Sequence, residues 1–150
     1  MRKNLAKILL FTMAIGAFWS CQKQPETVTF PENEIIGRYQ IVGWEPGSDF
    51  QTAGDYQGQA TILKKGELYI FSSVIDGTPF SGNGIFDEAS QSIAFIFEGE
   101  DGSRGVSFFR RPALEIGEEP SKNWDVRWAY SGEGHSFMCG REIWQKLDIQ

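Results

Sequence analysis

Cysteine and histidine are nearly absent: Cys21, Cys139 and the single His135 are all the chain has. Two distant thiols give no disulfide framework of the kind that staples small secreted folds. One Cys and one His make a metal site only if several carboxylates converge, and no such spacing occurs, so no structural metal or cofactor is expected. Basic residues are also scarce. Arg2, Lys3 and Lys7 precede the first apolar run, so the chain from Cys21 onward has 11 bases against 20 acids, a net charge of −9. That balance repels phosphate backbones, and the pairs Lys64-Lys65 and Arg110-Arg111 are too small to reverse it, so nucleic acid is not expected as a partner. A helical hydrophobic period of useful length is missing after Cys21, which argues against a helix bundle.

What is present begins at the N-terminus. The basic residues are followed by an almost wholly apolar stretch, Ile8 to Phe18. It is shorter than the roughly 20 residues that span a bilayer and fits the core of a secretory signal. Ser20-Cys21 directly behind it resembles the lipobox of bacterial lipoproteins, in which the cysteine is diacylated and becomes the new N-terminus. Phe18 and Trp19 stand where the usual lipobox has a Leu and a small residue, so ordinary secretion remains the alternative. The resemblance implies a signal peptide over residues 1–20, lipid attachment at Cys21, a polar tether over 21–29 and a domain over 30–150. It also implies a lipid-anchored location in the outer membrane or cell envelope, with the domain in the periplasm or on the surface, and a firm hold, because several acyl chains bind where one does so marginally. Cys139 is then alone and is expected to be a buried small hydrophobe.

Downstream, short stretches with period-two alternation are separated by turn signals. Gly37–Gly43 reads as the first strand and Tyr56–Leu63 as the second, before a polar turn at Lys64-Lys65-Gly66-Glu67. Leu68–Ile75 leads into Asp76-Gly77, a strong hairpin signal. Phe80–Phe86, Ser92–Glu98 and Gly105–Arg111 follow, and a longer loop is expected over Ala113–Asn123. Trp124, Val126, Trp128 and Tyr130 give the sharpest alternation, and a last strand falls between Phe137 and Leu147, with Glu142, Trp144 and Lys146 on one face. About eight strands at roughly 8–12-residue spacing predict an all-β domain. Tight successive turns favour an antiparallel up-and-down β-barrel, whose closure removes sheet edges; a two-sheet β-sandwich is the alternative.

This pattern resembles the lipocalin- and avidin-like small barrels, in particular a group of uncharacterised bacterial secreted proteins with that fold. The residues that carry the resemblance are Gly37-Arg38-Tyr39, Tyr56-Gln57-Gly58 with Ile62, Gly82-Asn83-Gly84 and Gly140-Arg141-Glu142-Ile143-Trp144. The polar and Trp set that holds biotin in avidins has no counterpart here, and Tyr39 stands where true lipocalins carry a Trp.

Catalytic patterns are weak. Gly134-His135-Ser136-Phe137-Met138 lacks the second glycine of a nucleophile elbow, and Asp87-Glu88 and Glu118-Glu119 are neighbours whose side chains point to opposite faces of a strand. The domain is expected not to be an enzyme. The aromatic face Trp124, Trp128 and Tyr130, with Tyr39, Tyr69 and Phe71 on other strands, is the candidate ligand-binding surface, and Tyr39, Tyr69, Trp124 and Trp128 are its expected binding residues. A small barrel either fills its interior or holds one small ligand, and flat rings suit an apolar or carbohydrate ligand. The competing expectation is that the rings pack the core and that the domain is a structural module contacting another envelope protein.

Overall fold

The computed structural model describes residues 34–112, 121–132 and 138–147. The expected signal peptide, the tether, Cys21, His135 and the pair Glu118-Glu119 lie outside the described residues, as does most of the long loop. Eight strands follow in order: β1 (Gly37–Trp44), β2 (Tyr56–Lys65), β3 (Leu68–Ile75), β4 (Thr78–Asp87), β5 (Ser92–Gly99), β6 (Arg104–Arg110), β7 (Trp124–Tyr130) and β8 (Gly140–Lys146). Each pairs antiparallel with its neighbour in sequence, and β8 returns to β1 through a register running from Tyr39 opposite Lys146 to Trp44 opposite Arg141. The sheet is therefore a closed up-and-down barrel, and the sandwich alternative is excluded.

The local chemistry accounts for the register. Asp76 and Gly77 both adopt positive φ, 45° and 86°, as a two-residue hairpin turn of primed type requires to match the strand twist. The β2–β3 turn is tighter than expected: Lys64 and Lys65 extend β2, pairing with Tyr69 and Leu68, and only Gly66-Glu67 turn. Alternation then aims one residue in two inward. Phe71, Phe95, Phe109 and Trp144 meet edge to face in the middle of the barrel, with ring centroids 4.7–5.6 Å apart for four of their pairs. Each such ring removes about 150–250 Å² from water, worth about 4–6 kcal/mol before entropy is counted.

One end of the barrel is plugged. Tyr39 and Trp124 are fully buried there, and the Tyr39 hydroxyl accepts from Trp124 Nε1 at 3.3 Å while donating to the Ile35 carbonyl at 2.6 Å. Arg111 lies over the Trp124 ring at 4.0 Å and donates to the Glu34 carbonyl, which Lys146 also reaches at 2.8 Å. The opposite end carries the loops between β1 and β2, β3 and β4, β5 and β6, and β7 and β8. It is there that the interior is not filled.

Two surface features depart from simple alternation. Asp125 points outward from β7 yet is buried, because Arg110 at 3.2 Å and Arg141 at 3.0 Å close over it. Cys139 is exposed rather than buried. It directly precedes the inward-facing Gly140 at the end of a loop, and it borders an outward apolar face where Ile85, Ile96, Val106 and Phe108 of β4, β5 and β6 stand in solvent.

Candidate functional site

The unplugged end holds a cavity of about 210 Å³. Phe71, Phe109 and Trp144 form its floor, so the aromatic cluster that fills mid-barrel is also the base of the site. Tyr56, Phe80, Phe97, Trp128 and Tyr130 are the walls, and Glu45, Asp76 and Asp101, from three different connections, stand at the rim. At about 30 Å³ per water in the liquid, the space equals about seven waters, below the roughly 300–1,000 Å³ of pockets for drug-sized molecules.

Local sequence positions these groups. Trp128 on β7 lies opposite Gly140 on β8, and a Cβ at Gly140 would come within 2.2 Å of the indole ring, so the glycine is what lets the ring lie against the wall. The rim loop after β1 is braced from within: Trp44 Nε1 donates to the Thr52 carbonyl at 3.2 Å, and the Glu45 amide donates to Asp55 Oδ2 at 2.9 Å. Phe50 packs on Trp44 and lies beneath the guanidinium groups of Arg127 and Arg141.

A hydrogen-bonded chain crosses the cavity. Trp128 Nε1 donates to the Tyr56 hydroxyl at 2.8 Å, that hydroxyl donates to Glu142 Oε1 at 2.9 Å, and Trp144 Nε1 donates to Glu142 Oε2 at 2.6 Å. Glu142 thus has both oxygens engaged by neutral donors. Burial pushes its carboxyl above the ordinary 4.5, opposed by the bonds from Trp144 and Tyr56 and reinforced by the field of Glu45. Tyr56 is driven strongly upward by burial and then by the adjacent Glu142. Tyr130 is raised by burial first, with Glu45, Asp101 and Glu142 adding to it. Ser73 and Ser107, 5% and 7% exposed, border the same cavity from β3 and β6, and neither Oγ has a hydrogen-bond partner among the described residues.

Of the six aromatic residues singled out from sequence, Phe71, Trp128 and Tyr130 line this cavity, and of the four expected to bind Trp128 alone does so. Tyr39 and Trp124 come together at the plugged end, where their polar atoms satisfy each other and the Ile35 carbonyl. Tyr69 is buried toward that end against Phe86, its ring 6.1 Å away. Sequence reasoning passed over Tyr56, Glu142 and the two serines as binding residues. The available signal was an acid, Glu142, sharing an inward face with Trp144. Among the described residues, no three His, Cys, Asp or Glu side chains converge as metal ligands would. Comparison with known protein families finds no matching family model, and comparison with curated proteins finds no match.

Proposed function

We propose that this chain is a non-enzymatic, lipid-anchored module of a bacterial cell envelope whose barrel holds one small ligand with an apolar or sugar-like body. The cavity at the loop end carries the reading. Walls of Tyr, Trp and Phe offer flat surfaces, and Glu142, Ser73 and Ser107 offer a few fixed polar groups, the composition that small-molecule sites share. The anchor rests on Ser20-Cys21 behind the apolar run. A second reading has its own observation. The outward face of Ile85, Ile96, Val106 and Phe108 borders a groove of about 690 Å³, and an apolar surface of that kind suits contact with another envelope protein.

Native mass spectrometry of protein extracted from its own membrane tests both. The expected result is a chain beginning at an acylated Cys21 with a small-molecule adduct. No adduct but a stoichiometric protein partner overturns ligand carriage in favour of the second reading, and a Cys21→Ala chain that still fractionates with membranes overturns the anchor.

A further inference from the structure

We propose that the mouth cavity selects a small organic cation, an ammonium group on a flat apolar body, with Glu142 as its counter-ion. The proposal rests on the cavity being the ligand site and adds the charge of the ligand.

Four carboxyl groups line the cavity, Glu45, Asp76, Asp101 and Glu142, and no Lys, Arg or His is among its described lining residues. Five of the described cations are engaged away from the cavity. Arg111 and Lys146 bind carbonyls at the plugged end, Arg110 and Arg141 cover Asp125 on the outer surface, and Arg104 pairs with Glu98 at 2.7 Å. An anionic ligand would therefore meet carboxyl groups with no cation among the described lining residues to receive it, whereas a cation is drawn in by the rim.

Acidic residues at a mouth are by themselves an ordinary solvated surface. Two further observations point inward. Glu142 is buried at 7% exposure with neutral donors only, and a carboxyl removed from water normally needs a cation beside it. The two serine hydroxyls are shut off from solvent without partners, an arrangement that is unfavourable unless something accepts or donates there. A primary ammonium supplies three N–H donors, more than the Glu142 carboxylate alone takes, which leaves donors for a serine Oγ that turns about χ1 into the cavity. Trp128, Tyr130 and Trp144 line the same cavity, and a cation is attracted to a ring quadrupole most strongly where water is excluded. A cavity equal to about seven waters limits the body to one small ring.

The test is isothermal titration calorimetry on the purified chain with three probes of one size: 2-phenylethylamine, neutral 2-phenylethanol and the anion phenylacetate. The amine is expected to bind at least tenfold more tightly than the alcohol at pH 7 and to weaken as salt rises, and phenylacetate should give no heat. Glu142→Gln should bring the amine-to-alcohol ratio to near one. Because that variant disturbs a buried hydrogen-bond chain, Asp76→Asn/Asp101→Asn at the exposed rim serves as the second arm and should lower amine affinity several-fold with the fold intact. Alcohol binding as tight as the amine, or a ratio unmoved in both variants, overturns the charge selectivity while leaving the cavity as the ligand site. Silence from all three probes, together with native protein that carries no adduct, overturns both.

Discussion

Ser73 and Ser107 stand at odds with the rest of the interior, where nearly every polar atom on the inner face is answered: Tyr39 by Trp124 and Ile35, Tyr56 by Trp128 and Glu142. A hydroxyl buried without a partner costs about 1–3 kcal/mol relative to one in water, and a methyl group of the same shape avoids that cost. Ser107→Ala is therefore expected to stabilise the ligand-free barrel by about 1 kcal/mol, raising its Tm by about 4 °C in thermal denaturation. The same substitution should weaken 2-phenylethylamine binding several-fold by calorimetry. A fall in Tm would mean that the hydroxyl is satisfied in the folded barrel and is not held in reserve for a ligand. Opposite movements in stability and affinity are the signature of a group kept for binding.

At the scale of strands and turns, most of the architecture was legible because its signals are local. Asp76-Gly77 can only turn tightly, and Trp124 to Tyr130 alternate without a break, so strand edges there follow from the sequence itself. The Lys64-Lys65 boundary was not legible, since whether a lysine pairs or turns depends on Tyr69 and Leu68 across the ladder. The site was legible only in part. Alternation places Trp124 and Trp128 on the same face but carries no information about depth, and four residues along a strand separate the plug from the cavity. Nor does it reveal which glycine lies under which ring. Gly140 does so for Trp128, and Gly140→Ala would drive a methyl into the indole, displacing it from Tyr56 or spreading β7 from β8. Overpacking of this kind costs about 1–3 kcal/mol. The variant is expected to unfold at lower denaturant concentration and to lose affinity for the cavity probe, whereas Gly77→Asn, at a turn position that tolerates asparagine and has open space around it, should change neither by much.

The molecule as a whole balances carboxyl groups of two kinds, and their opposed behaviour fixes how its stability responds to pH. Asp87 and Asp101 are exposed and held below the ordinary 3.8 by hydrogen bonds from Ser90 and Ser103, and Asp55 likewise by Ser48 and the Glu45 amide. Their contributions are present above that value and are lost as pH falls through their lowered pKa values. Glu142 works in the other direction. Its folded pKa lies above the ordinary 4.5, so the folded barrel binds the proton more tightly than the unfolded chain, and stability falls as pH rises from 4.5 through the raised value. Of the groups facing it, Glu45 from the β1–β2 loop strengthens the effect, while the hydrogen bonds from Trp144 on β8 and Tyr56 on β2 oppose it without cancelling it; Asp76, Asp101 and the Tyr130 hydroxyl share the cavity, and no cation is among its described lining residues. Wild-type Tm should therefore peak at mildly acidic pH. In Glu142→Gln the decline above 4.5 should be shallower, so that the Tm difference between the two proteins shifts steadily toward the glutamine variant from acid to neutral pH, as a series of thermal melts would record. A difference that stays constant with pH would mean that Glu142 is no harder to ionise in the barrel than in the unfolded chain. Saturating amine should restore wild-type stability most at the neutral end of the same series, because there the bound cation stabilises the carboxylate that the empty barrel is least able to hold.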